Sequence, residues 1–308
     1  MAATDVDVFA PSTAPAAIVT GRRRRLRPQR AVLHAFLIAT CLIWLAPLAW
    51  TVYTSLRPYQ YTADHGYFSV GGHYGFDNFT AAWNQADLIK YYGNTLLVTV
   101  PSVLLTLMLA SFVAFAVARF SWKFNIALLM VFTAGNLLPQ QVIITPLYRL
   151  FLMIPLPTWM NATGTLYDSY WGIIAIHVAF QTGFCTFVLS NYMRTIPHEL
   201  TEAALVDGAS VWRQFWRIIM PLTRPALAAL ATLEFIFIYN DFFWAVVLMQ
   251  SQDKRPITSA LLSLQGIYFT NDNLIAAGAL LAALPTLVVY FTLQRQFVRG
   301  LTLGATKG

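Results

Sequence analysis

Apolar residues fall along this chain in six blocks, approximately 31–56, 94–118, 126–152, 170–193, 225–249 and 273–297. Each is about 20 residues or longer, the length at which a helix crosses a ~30 Å hydrocarbon layer. The pattern predicts an all-α membrane protein with six transmembrane helices. The first block is longer than the apolar core of a secretory leader and no small-x-small cleavage site follows promptly, so it reads as a retained helix; cleavage is the alternative. Pro47, Pro101, Pro139, Pro146 and Pro285 fall inside the blocks. Proline frees a carbonyl and kinks a helix, and neighbouring helices repair the damage. In Asn136-Leu-Leu-Pro139-Gln140-Gln141 the proline stands beside amides at membrane depth, which predicts a bent helix facing a wet interior. The polar connection 57–93 is rich in aromatics and glycine and is expected to pack on the outer membrane face, with contact to an external partner as the alternative.

Composition excludes a soluble globule. Of 308 residues 57% are hydrophobic and only 11% are charged, where a soluble domain carries roughly 25% charged residues. The distribution of the net charge of +7 matters more than its size. With the N-terminus inside, the inner segments hold 15 Lys and Arg against four outside, Arg149 near a helix end being left uncounted. That bias places both termini in the cytoplasm. The run Arg22–Arg25, with Arg27 and Arg30, then reads as an anchor on anionic lipid rather than a nucleic-acid site. The expected domains are an arginine-rich segment 1–30, a helical domain 31–297 and a tail 298–308.

Chemistry-bearing patterns are absent. The sequence holds no G-x-x-x-x-G-K-[ST] phosphate loop, no H-E-x-x-H, no C-x-x-C and no serine nucleophile elbow. Its five histidines lack metal spacing, and His177 reads as a packed or hydrogen-bonded residue. Asn78-Phe-Thr and Asn161-Ala-Thr fit a glycosylation pattern that is common by chance. No catalytic residue, metal ligand or cofactor site is expected in this chain.

The inner segment 194–224 is different. Pro197 suits a first helical turn, Glu199 and Glu202 favour the positive end of a helix, and Gly208 can end one in the left-handed conformation. Trp212, Phe215, Trp216 and Ile219 follow at helical spacing as an apolar stripe, and Pro221 and Pro225 are expected to turn the chain into the fifth span. A short helix held out by a bracing helix has the shape of a docking knob, although a plain interfacial helix would carry the same pattern.

The spacing Glu202-Ala203-Ala204, three residues, Gly208, nine residues, Ile218, one residue, Met220-Pro221 resembles the EAA loop of ATP-binding-cassette importer permeases, with Met220 where that pattern has leucine. Ala114-Phe-Ala-Val-Ala-Arg119-Phe120, Leu138-Pro139-Gln140-Gln141-Val142, Pro146-Leu147-Tyr148, Tyr239-Asn240-Asp241-Phe242 and the tail Gly300–Gly308 are similar to the carbohydrate, maltose-type branch of that family. The resemblance covers roughly residues 31–308. The arginine-rich start and the lengthened segment 155–168 fall outside it. It implies a type I importer permease fold and a non-catalytic membrane subunit of a sugar importer. The implied partners are a second related permease, two ATPase subunits that hold the ATP and Mg, and an extracytoplasmic solute-binding protein. It makes Glu202, Ala203, Ala204, Asp207 and Gly208 the contact with an ATPase. Asn240 and Asp241, with Gln140 and Gln141, are candidates for the substrate pathway, since polar residues inside spans are costly; bracing between helices is the alternative for Asn240 and Asp241. The competing function is a stand-alone carrier or channel using Glu234 and Asp241 as its ionisable groups.

Overall fold

The computed structural model describes residues 28–302, apart from 86, 122, 136–138 and 265–269. The arginines at 22–25 and 27 and the tail from residue 303 lie outside the described residues. The chain divides into two compact units, residues 1–49 and 50–308. In the first, residues 28–49 belong to helix α1 (Pro28–Ser55), which has Pro47 inside it. The second holds the end of α1 and everything that follows.

Two short helices, α2 (Tyr59–His65) and α3 (Asp77–Gln85), occupy the 57–93 connection. Then come α4 (Leu88–Arg119), α5 (Asn125–Gly135), α6 (Ile144–Met153) and α7 (Tyr170–Arg194). The 194–224 segment contributes α8 (Glu199–Val206) and α9 (Val211–Gln214). The rest is α10 (Met220–Tyr239), α11 (Phe243–Leu248), α12 (Ile257–Ala260) and α13 (Asp272–Thr302). Among the described residues the only β contact is an isolated bridge between Pro155 and Thr165.

Five helical runs are long and apolar enough to cross a membrane: Gln29–Ser55, Leu88–Arg119, Tyr170–Arg194, Val211–Tyr239 and Asp272–Gln294. Two further pieces, Asn125–Gly135 and Gln140–Met153, at 88° to one another, make a sixth if they are taken together as one broken span. This is the bend expected at Pro139. The fifth span departs from the sequence reading. It starts at Val211 and ends at Tyr239, whereas the apolar block suggested 225–249. Pro221 and Pro225 do not turn the chain: α9 continues through a π-helical turn, Phe215–Ile219, straight into α10. Pro221 directly follows that π segment, a local widening by which a helix can accommodate a residue that does not donate. The apolar residues beyond Tyr239 form the separate α11.

The centre of the second unit is the contact between α4 and α7. Along α4 the residues Thr95, Thr99, Ser102, Thr106, Ala110 and Ala114 are all buried and all small. They recur every three or four positions, one face of a helix. Small residues let helix backbones approach closely where lipid supplies no hydrophobic drive. The hydroxyls of Thr99, Ser102 and Thr106 have no hydrogen-bond partner, so they contribute to packing by their small size. At the start of α7 the same economy recurs: a Cβ on Gly172 would lie 2.6 Å from the Leu166 carbonyl oxygen and 3.1 Å from the Phe151 ring. Helix α10 lies against both α4 and α13, and α3 packs on α13.

Polar side chains tie the loops at the far end of these helices. Asn94 donates to the carbonyls of Asp253 and Arg255 at 2.8 and 3.0 Å and accepts from the Tyr170 hydroxyl at 2.8 Å. Asp168 is held at φ 54°. Its carboxylate accepts from the Gln250 and Ser251 amides at 2.9 and 3.0 Å and from the Ser251 hydroxyl. Lys254 reaches the Asn161 side-chain oxygen at 2.8 Å and the Asp168 carbonyl at 2.9 Å. The lengthened segment 155–168 is thereby locked to the loop after α11. The asparagines of both glycosylation-like triplets are committed. Asn78 donates to the Ser55 and Arg57 carbonyls at 2.9 and 2.7 Å, and Asn161 is 3% exposed.

Asn94→Leu should leave two carbonyls and the Tyr170 hydroxyl unpaired and lower stability by about 1–2 kcal/mol. The check is a fall of several degrees in the thermal unfolding midpoint of the detergent-solubilised protein, with an unchanged midpoint counting against the role given to Asn94.

Candidate functional site

The 194–224 segment folds as a knob, and local chemistry dictates its shape. Glu199 and Glu202 occupy the first turn of α8, with the Thr201 and Glu202 amides donating to the His198 carbonyl. Pro197 lies just ahead of the helix. At the other end Gly208 takes φ +73°. The Ala209 amide bonds the Ala204 carbonyl at 2.8 Å, and the Gly208 amide bonds the Leu205 carbonyl at 3.0 Å. That pair is the Schellman arrangement, which satisfies the last carbonyls of a helix and reverses the chain. Ser210 then caps α9 by accepting from the Arg213 amide at 3.3 Å.

Of the five residues expected to meet a partner, Glu202, Ala203, Asp207 and Gly208 are exposed and Ala204 is buried. The turn also presents apolar residues to the outside: Leu205 is 67% and Val206 88% exposed. Half of the bracing stripe packs inward, while Trp212 and Trp216 stay 63% and 43% exposed. Phe215 and Ile219 are buried, and the rings of Trp212, Phe215 and Trp216 lie 5.8, 5.0 and 6.3 Å from that of Phe112 on α4.

The second group lies within the helices. Asp241 follows the end of α10, and its two carboxylate oxygens accept from the Trp244 and Ala245 amides at 3.3 and 3.2 Å, the free N–H groups at the start of α11. His177, 2% exposed, approaches Asp241 to 3.5 Å without forming a hydrogen bond. Asn240 is exposed and returns its amide to the Ile236 carbonyl at 2.7 Å. Gln141 is exposed. Gln140 opens a short 3-10 turn and lines a cavity of about 330 Å³ together with Gln181 of α7 and Glu234 of α10. The structure thus brings Gln140 to Glu234 and leaves Asn240 and Asp241 at the α10–α11 junction. Gln181 is missed by sequence motifs; its one signal is a polar side chain inside the apolar block 170–193. Among the described residues no cluster of His, Cys, Asp and Glu could hold a metal ion.

Helices of membrane length, with a capped helix turn between the α7 and α10 spans, are the architecture of a multi-pass membrane protein. Residues 94–303 match the family described as the inner membrane component of binding-protein-dependent transport systems, and the chain belongs to that family. It is 29% identical over 276 residues to the diacetylchitobiose uptake system permease protein NgcG of Streptomyces coelicolor, covering 89% of this chain and 88% of that one. Identity is 33% over 234 residues to the melibiose/raffinose/stachyose import permease protein MelC of Bacillus subtilis, covering 76% and 81%. The fold matches a chain of a bacterial ABC transporter involved in import of the acidic polysaccharide alginate, with a TM-score of 0.73, 20% identity, and coverage of 89% and 98%.

Removing the carboxylate cap should separate bracing from transport. Asp241→Ala is expected to cost about 1 kcal/mol and Asp241→Asn, which keeps one acceptor, less than that. Thermal midpoints in the order wild type, Asn, Ala would bear this out; equal midpoints with impaired uptake would assign Asp241 to the pathway.

Proposed function

We propose that this chain is one of two related permease subunits of an ATP-driven, binding-protein-dependent sugar importer in the cell (inner) membrane, with both termini cytoplasmic. The reading rests on the α8–Gly208–α9 turn: a helix closed by a glycine reversal, uncovered at Ala203, Leu205 and Val206, and joined without a break to the fifth span. Such a knob has no use in a carrier that works alone. It suits a cleft in a motor subunit, whose movement it would pass to the helices. In this reading two ATPase subunits dock against Glu202, Ala203, Ala204, Asp207 and Gly208 and carry the ATP and Mg. A solute-binding protein delivers cargo from the other side, in keeping with the family description. The names of the relatives support a disaccharide or oligosaccharide as cargo. The excess of Lys and Arg on segments 1–30, 119–123, 194–224 and 295–307 supports the orientation.

The competing carrier needs Glu234 and Asp241 as free ionisable groups, yet both Asp241 oxygens are engaged by backbone amides.

Gly208→Val tests the knob. A Cβ there meets no atom within 4 Å, so the damage is the strain of a β-branched residue at positive φ, about 1–2 kcal/mol, and the misplacement of α8. The expected result is a chain that still inserts but whose uptake in membranes falls at least tenfold, with weaker pull-down of the ATPase. Ala203→Asp should do the same without strain, by placing a charge in a small-residue contact. Wild-type uptake in both would remove the loop as the coupling element.

The isolated chain should hydrolyse no ATP above a mock preparation, and co-expression should recover a complex with one related permease and two ATPase copies. Hydrolysis by the chain alone would overturn the division of labour.

A further inference from the structure

A second cavity lies where α4 ends at Arg119 and α7 ends at Arg194. Its volume is about 580 Å³, and Arg119, Arg194 and His198 line it together with Ser121 and Asn125. None of the described residues that line it is an Asp or Glu. The two stretches that form it, 117–126 and 192–198, hold no acidic residue in their sequence either. Residues more than seventy positions apart are thus folded together with one sign of charge.

The two cations differ in what they can do. The guanidinium nitrogens of Arg119 are covered and have no partner, and the ion pairs among the described residues lie elsewhere, at His177–Asp241 and Lys254–Asp168. Arg119 therefore acts on the cavity through its field, across a medium that screens less than water does. Arg194 and His198 are exposed and supply the accessible donors. Lys123, on the connection between α4 and α5, is exposed as well.

Basic residues at the ends of helices also answer the helix dipole, so the charge balance decides. Helices α4 and α7 end at the cavity and α5 begins there, at Asn125. Their terminal partial charges leave roughly half a negative charge, against one full positive charge on each arginine. The last carbonyls of α4 are partly withdrawn too, because the Asn125 amide takes those of Val117 and Phe120. The chain by itself leaves the cavity positive, and an anion is the missing component.

Depth and surroundings select the anion. Arg119 and Arg194 close two helices of membrane length, which puts the cavity at the level of the lipid headgroups. The α4–α5 connection that forms one wall exposes Phe120, Phe124 and Ile126, an apolar border with no use to a soluble ion but suited to acyl chains. Basic pockets between spans on the cytoplasmic side are places where anionic headgroups bind.

We propose that this cavity binds the headgroup phosphate of an anionic phospholipid of the inner leaflet. Arg194 and His198 donate to the phosphate oxygens, Arg119 sets the sign of the field, and the acyl chains lie along Phe124 and Ile126. The site rests on the cytoplasmic orientation given above and not on the cargo. It also adjoins the knob, since the His198 carbonyl accepts the Thr201 and Glu202 amides that open α8. A lipid held here steadies the point from which the knob departs.

The test takes the full chain in detergent, with the subunits that copurify with it, and titrates it with dioleoyl phosphatidylglycerol or dioleoyl phosphatidylcholine. Native mass spectrometry counts the retained lipid. Phosphatidylglycerol should be retained at least tenfold more tightly than phosphatidylcholine, which has the same tails and no net charge. Arg194→Gln should weaken that retention at least fivefold, and adding His198→Gln should weaken it further. Arg224→Gln, which removes an exposed cation outside the cavity, should stay within twofold of wild type. Arg119→Gln should also weaken retention; if that variant does not fold, the Arg194 variants carry the test. Equal retention of the two lipids overturns the site. So does an equal loss in Arg224→Gln, which would reduce the effect to attraction by a basic surface. Displacement of the lipid by inorganic phosphate overturns the lipid as occupant and leaves a soluble phosphate in its place. Retention by the chain alone but not by the assembled complex gives the cavity to a protein partner and overturns the proposal.

Discussion

Everything in the second unit depends on how closely α4 and α7 approach each other. Water drives apolar surfaces together in soluble proteins, but lipid tails are as apolar as leucine and give no such push. Contact must come from shape, and the buried residues Thr99, Ser102, Thr106, Ala110 and Ala114 keep α4 narrow among its neighbours. Helices α7 and α10 both pack on α4 and on each other. The seam ends beside Phe112, where the rings of α9 and the π turn dock. The knob is therefore anchored to α4, which packs against the α7 that carries Gln181.

Much of this was legible in the sequence, and the exceptions have physical reasons. Helix number and the bend at Pro139 follow from hydropathy and from one residue that cannot donate. The knob was readable because its parts are local: Glu199 and Glu202 at a helix start, Gly208 at its end, and a stripe at helical spacing. The fifth span was misplaced because hydropathy does not register a helix end. The apolar run passes through Tyr239 and on to residue 249, but the free amides of Trp244 and Ala245 find a carboxylate at Asp241 and start a new helix there. The straight passage from α9 into α10 was equally hidden, since Pro221 reads as a break unless the turn before it widens. The cavity was half visible. Gln140 lies next to a proline and drew notice; Gln181 belongs to no motif, and the cavity it lines is built from segments that are distant in sequence.

Polar residues in and beside the apolar blocks differ in how far the fold satisfies them, and sequence alone does not separate them. Asn94 and Asp168 bond backbone and side-chain groups, Asp241 bonds backbone amides, and all three serve as joints. Glu234 does not, with one oxygen on Cys185 and the other on nothing. Whether a buried carboxylate has been satisfied is a property of the folded neighbourhood.

The unbroken helix from Val211 to Tyr239 has a mechanical meaning. Its 29 residues extend about 43 Å at 1.5 Å per residue. A tilt of about 5° about one end displaces the other by about 4 Å over such a length. The beam begins beside the knob and passes Glu234 before it ends at the Asp241 junction. Its π turn, Phe215–Ile219, lies at the end next to the knob. Under the proposed coupling, a rotation imposed at the knob would reach the far end of the helix as a displacement.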